Sequence, residues 1–236
     1  SINYQAVAGS LVFKHAQDTP LISMSYIAYF KRGDDATQRP ITFVYNGGPG
    51  SATIWLHMGA WGPQRVYIVD GSRTRAPYKT VNNDYSLLDA SDLVFIDAPG
   101  TGFGQVITTE MGGAGERKNF FGIDQDGEAF TSFITKFLSD YNRWNSPKYL
   151  FGESYGTFRS AVVGKMLADR GVALNGIILL SQLLTYGNMT ETTSQNPGDG
   201  LPFELVLPSY AATAWYHHKL PNQPTELQPF LNEVEN

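Results

Sequence analysis

Tyr149-Leu150-Phe151-Gly152-Glu153-Ser154-Tyr155-Gly156 is the stretch on which the reading of this chain turns. The apolar run predicts a buried strand, Gly152 to Gly156 match the pattern G-x-S-x-G, and Arg159 to Arg170 predict a helix. The two glycines let the backbone bend sharply at Ser154, so that its hydroxyl stands clear of the sheet beside a helix N-terminus. A serine that merely caps the following helix would also fit the local pattern. The strand before it and the helix after it favour the strained strand-to-helix turn that presents a nucleophile.

Three further apolar runs, Ile41-Thr42-Phe43-Val44-Tyr45, Leu93-Val94-Phe95-Ile96 and Ile177-Ile178-Leu179-Leu180, end in small or turn residues. Together with 149–151 they read as strands buried on both faces, as in a parallel sheet covered by helices. Between them, Phe130, Phe133, Ile134, Phe137 and Leu138 fall on one face of a predicted helix over 128–138. Upstream, Leu11–Lys14 and Ser23–Phe30 mix β-formers with polar residues around Asp18-Thr19-Pro20 and predict an antiparallel pair. Two antiparallel strands leading into parallel strands with crossover helices is the order of the α/β-hydrolase fold, a mostly parallel sheet flanked by helices. The core is expected over 1–186. Residues 186–200 are polar and rich in Asn, Thr and Gly and predict a loop, with helices over 209–220 and from about Thr225 onward; 187–236 reads as the start of a helical cap insertion. The last helical pattern runs to the final residue without a stop signal, so the chain is expected to be cut at its C-terminus, with later strands missing.

A serine hydroxyl needs a base to take its proton, and the oxyanion it creates needs fixed donors. In this fold one donor is the backbone N–H after the nucleophile, here Tyr155. The other comes from the loop after the third strand, here Asn46-Gly47-Gly48-Pro49-Gly50, where the glycines allow main-chain N–H groups to face a substrate.

These two segments and Asp97-Ala98-Pro99-Gly100-Thr101-Gly102-Phe103 resemble, in order, the three signature blocks of the serine carboxypeptidases (peptidase family S10). The resemblance runs from the first strands to the end of the chain. It implies that Gly48 and Tyr155 donate to the oxyanion and that Asn46, Gly47 and Glu153 hold the terminal carboxylate of a peptide with a free C-terminus. It also implies export to a periplasmic or extracellular space. The chain departs from the family at Ser51, often cysteine in eukaryotic relatives, which suggests a bacterial-type branch. It departs again at Ala60-Trp61-Gly62-Pro63, where many relatives carry E-x-G-P. A carboxylate held by Glu153 must share a proton with it, because two adjacent carboxylates cannot both ionise cheaply. The missing second carboxyl at Ala60 weakens the implied acid preference.

Composition narrows the alternatives. The 236 residues carry a formal net charge of −5 with 17% charged residues, which argues against a nucleic-acid partner. No run approaches the roughly 20 apolar residues that span a bilayer, so no membrane partner is implied. The absence of cysteine removes disulfides and thiolate chemistry. No cofactor or metal is implied: His217 and His218, adjacent on a helix, diverge by roughly 100° and do not suit a shared zinc site. Gly100-Thr101-Gly102-Phe103-Gly104-Gln105 lacks the third glycine of a dinucleotide fingerprint. After Ser154 the candidate acids and bases are Asp169, Asp199, His217 and His218. Asp169 reads as a solvent-facing helix residue and Asp199 as part of a polar loop. The expectation is therefore that the triad Asp and His lie beyond residue 236 and that this piece alone is nearly inactive. An esterase or acyltransferase on the same scaffold, or a non-catalytic binding protein, would share the fold.

Overall fold

The computed structural model describes residues 1–15, 18–69, 75–189, 198 and 200–235. The chain forms two compact units, Ser1–Gln182 and Leu183–Asn236. In the first, the strands are β1 (Tyr4–Lys14), β2 (Pro20–Lys31), β3 (Ile41–Tyr45), β4 (Gln64–Val66), β5 (Thr80–Asn82), β6 (Asp92–Ile96), β7 (Gln105–Val106), β8 (Lys148–Glu153) and β9 (Gly176–Leu180). Among the described residues they make a seven-stranded sheet of order β1-β2-β6-β3-β8-β9, with β7 also paired to β2, and a separate β4-β5 ribbon. β2 runs antiparallel to its two neighbours β1 and β6, whereas β6, β3, β8 and β9 run parallel. The short helix α1 (Ile54–Leu56) runs into a π-helical turn at His57–Trp61; α2 (Ile123–Asp140) and α3 (Tyr155–Asp169) complete the unit.

Alternation along the central strands explains the two layers. Phe43, Tyr45, Val94, Ile96 and Leu150 point to one face, where they pack with Phe130, Phe133, Ile134, Phe137 and Leu138 of α2 and with Val163 and Leu167 of α3. Val44, Leu93, Phe95 and Phe151 point to the other, against Leu56 and Leu88. The five α2 side chains predicted to share a face are all fully buried. At roughly 1.5–3 kcal/mol for each large apolar side chain removed from water, that stripe fixes α2 on the sheet.

The parallel strands are clamped at their N-terminal ends by a buried ion cluster. Asp92, at the start of β6, accepts from Arg39 Nε (2.8 Å), Arg143 Nη1 (2.7 Å) and the Lys31 backbone N–H (2.9 Å). Arg143 also donates to Ser146 Oγ (2.7 Å) and to the Arg39 carbonyl (2.9 Å), and Arg39 Nη2 donates to the Leu88 carbonyl.

Three expectations need correction. The leading strands are longer than the segments read from sequence, because β1 lies at the margin of the sheet, where exposed polar residues such as Gln5 and Ser10 are accommodated within the strand. The run 177–180 is a strand, but it is not buried on both faces: Ile177, Ile178, Leu179 and Leu180 are 37–43% exposed, since β9 pairs only with β8 among the described residues. In the second unit, α4 (Leu201–Tyr216) begins eight residues before the expected Ser209 and is followed by α5 (Leu227–Val234). Pro202 sits in the first turn of α4, where a missing N–H has no helical partner to lose, and the helix continues through Pro208. Trp215 Nε1 donates to the Pro224 carbonyl (2.7 Å), tying the end of α4 to the turn before α5.

Candidate active site

β8 ends at Glu153 and α3 begins at Tyr155, so Ser154 is the single residue of the turn between them. Its backbone has φ +56° and ψ −123°, a conformation in which L-residues are strained. The turn is held on both sides: the Ser154 N–H donates to the Leu180 carbonyl (3.0 Å), and the Ser154 carbonyl accepts from the Thr157 N–H (2.9 Å) and Oγ1 (2.7 Å). Gly152 is required for it, because a Cβ there would lie 2.1 Å from the Gly156 carbonyl oxygen. Ser154 itself is half-buried, with Tyr155 and Gly156 buried behind it.

The loop after β3 lies directly on this turn. A Cβ on Gly47 would sit 2.4 Å from the Tyr155 nitrogen, 2.6 Å from the Glu153 carbonyl oxygen and 2.8 Å from the Gly156 nitrogen. Only a residue without a side chain allows the two backbones to approach so closely. Gly48 follows in the left-handed region at φ +109° and is exposed, as are Pro49 and Gly50. Asn46, 6% exposed, donates from Nδ2 to Glu153 Oε2 (3.0 Å) and accepts at Oδ1 from the Leu56 N–H (3.1 Å). The structure therefore brings Asn46, Gly47, Gly48, Glu153, Ser154 and Tyr155 together from two segments about a hundred residues apart.

The third block supports this arrangement. Asp97 accepts from the Thr53 N–H (2.9 Å), Ser25 Oγ (3.2 Å) and the Phe103 N–H (3.2 Å). Thr53 in turn donates from Oγ1 to the Ile96 carbonyl. One carboxylate thus joins β2, the loop after β3 and the turn after β6. Reading the sequence assigned Asp97 no role of its own; its place directly after a buried strand was the available signal.

Residues 13–178 match the family model described as serine carboxypeptidase. The chain belongs to the serine carboxypeptidase family. Among solved structures, this serine carboxypeptidase-family chain is similar to Kex1(Δ)p, a prohormone-processing carboxypeptidase from Saccharomyces cerevisiae. The two share 18% identity over 98% of this chain and 52% of that one, with a TM-score of 0.63. It also matches the peroxisomal α/β-hydrolase Lpx1 from the same yeast (11% identity, 91% of this chain, 56% of that one, TM-score 0.41). A third match is an ester hydrolase from the metagenome of Lake Arreo (14% identity, 96% and 58%, TM-score 0.44). A search of curated proteins returned no match. The fold is the α/β-hydrolase fold expected from the order of the elements. The chain spans about half the length of the solved structures it matches.

Asp169 is exposed at the end of α3 and pairs with Lys165 (2.8 Å). Asp199 lies outside the described residues. His217 closes α4 and His218 follows it at φ +52°. His57 is buried in the π-helical turn, where its Nε2 shares a 2.7 Å hydrogen bond with Tyr29 Oη and its ring lies 4.7 Å from that of Phe95. Burial lowers its pKa from 6.5 to about 4, with the charge of Asp97 acting in the opposite sense. In the unfolded chain the same imidazole takes up its proton near pH 6.5. The unfolded state is therefore favoured progressively as pH falls from 6.5 toward 4, and stability present above that window is lost within it. The expected loss at pH 4.5 is roughly 2 kcal/mol, at ~1.4 kcal/mol per pKa unit with some solvent contact remaining. Urea unfolding at pH 7 and 4.5 measures it, and His57→Asn should remove this part of the pH dependence.

Proposed function

We propose that the site performs the acyl-transfer step of a serine carboxypeptidase. Ser154 Oγ attacks the carbonyl carbon of the last peptide bond while a general base takes its proton. The Gly48 and Tyr155 N–H groups receive the oxyanion, and collapse of the tetrahedral intermediate expels the C-terminal residue and leaves an acyl-enzyme on Ser154 for water to cleave. Asn46, Gly47 and Glu153 hold the carboxylate of the departing residue. The observation that carries this reading is the packing of Gly47 against the Tyr155 amide, beside a bonded Asn46–Glu153 pair. That packing supports an oxyanion role for the amides, and the adjoining Asn46–Glu153 pair supports a carboxylate-binding role.

The test separates carboxypeptidase from general acyl transfer. With the natural full-length protein, peptides with a free C-terminus should be cleaved and their C-terminal amides should not; equal cleavage of both, or of simple esters only, would point to an esterase. Glu153→Ala removes a hydrogen-bonding partner of the substrate carboxylate, so KM for free peptides should rise about tenfold, the scale of one lost hydrogen bond. An unchanged KM would count against the role of Glu153.

A further inference from the structure

One charged pair under the turn has no part in the chemistry just proposed. Arg159, one turn into α3 and 2% exposed, donates from Nε and Nη2 to the two carboxylate oxygens of Asp126 on α2 (2.7 and 3.1 Å). Its remaining nitrogen, Nη1, donates to the Asn46 carbonyl at 2.8 Å. The guanidinium lies over the rings of Phe130 (4.3 Å), Tyr155 (5.2 Å) and Tyr45 (5.4 Å). All three nitrogens are thus engaged and the group has one available orientation.

We propose that Arg159 is a positioning residue for acyl transfer: by gripping the Asn46 carbonyl it sets where the Gly47-Gly48 backbone stands relative to the Tyr155 amide. The carbonyl it holds belongs to the peptide unit that leads into Gly47. Rotation of that unit would swing Gly47 off Tyr155 and pull Asn46 Nδ2 from Glu153. Arg159 and Tyr155 lie on one helix, so a closed loop of contacts runs from the Tyr155 amide to Gly47, back to the Asn46 carbonyl, across the guanidinium and up one turn of α3. Two donors from distant segments are thereby referenced to the same rigid element. Lysine cannot replace this fork, because one ammonium cannot chelate Asp126 and reach the carbonyl in fixed directions. Buried ion pairs are poor sources of stability and are often matched by apolar side chains of similar volume, so stability alone gives little reason for a charged pair here.

The inference rests on the proposed role of Ser154, and its test keeps the two apart. In the natural full-length protein, the parent, Arg159→Lys and the double variant Arg159→Met/Asp126→Leu are compared in three measurements. These are thermal unfolding, kcat and KM on a free-C-terminus peptide, and the rate at which a fluorophosphonate labels Ser154. The double variant removes both charges, so it is expected to unfold close to the parent temperature. Its kcat and labelling rate should fall by about 30- to 100-fold with KM within threefold, the scale of an ångström-sized misplacement of reacting groups. Arg159→Lys should lose rate in the same pattern. A folded double variant with kcat and labelling within threefold of the parent overturns the inference. So does failure of both variants to fold, which would make the pair a structural element alone. A parent that does not label at Ser154 overturns the acyl-transfer reading itself, and this inference with it.

Discussion

Ser154→Ala is expected to abolish fluorophosphonate labelling and to lower peptide turnover in the natural full-length protein by about 10⁶, the loss seen when a nucleophile that works as a unit with its base is removed. The oxyanion donors and the groups that hold the substrate remain, so binding of a product-like peptide should survive while the chemistry does not. The substitution leaves the main chain unaltered. Both residues carry a Cβ, the φ of +56° is equally strained for either, and the bonds that brace the turn run from the Ser154 backbone rather than from its hydroxyl. Unfolding should therefore be little changed, which separates a missing nucleophile from a collapsed site. Mass spectrometry of the labelled protein and kcat/KM on a free peptide make the measurement; a labelled alanine variant would show that another residue is the nucleophile.

The largest loss of stability is expected at Asp92→Ala, far from the chemistry. Asp92 is 1% exposed and is the shared acceptor of Arg39 and Arg143, themselves 7% and 2% exposed. Removing it leaves the Arg143 guanidinium buried without its counter-charge, leaves Arg39 with only the exposed Asp34 (3.3 Å), and strips the Lys31 N–H of its acceptor. Breaking a buried ion pair by deleting one partner costs about 3–5 kcal/mol, and here two pairs break at once. Urea unfolding of the chain should show the unfolding free energy falling by that amount or more. A change within about 1 kcal/mol would mean that the cluster contributes no more than an exposed pair does.

The central layer of the fold was legible because three of its strands are buried on both faces, and residues such as Val44 and Phe95 have no polar alternative in that position. β9 misled for the same reason in reverse: Ile177–Leu180 is as apolar as its neighbours, and sequence alone does not reveal that a strand has a partner on one side only. α4 begins at Leu201 rather than at the expected Ser209, with Pro202 in its first turn, where a proline breaks nothing. The site was legible where backbone geometry leaves a compositional trace, as in Gly47, Gly48 and Gly152. It was not legible where side chains from remote segments converge. Nothing local distinguishes Asp126 or Arg159 from ordinary surface charges; their burial is a property of the assembled layers.

The unusual backbone at position 154 also bears on how the protein can change over time. The conformation is one that glycine tolerates better than any side chain, so relaxation of the turn and retention of the hydroxyl make opposing demands on the same codon. Selection for durability alone would erase the reactive group. Its persistence requires neighbours that tolerate the awkward bend, and the closely fitted residues around it are constrained by geometry even where they never touch a substrate.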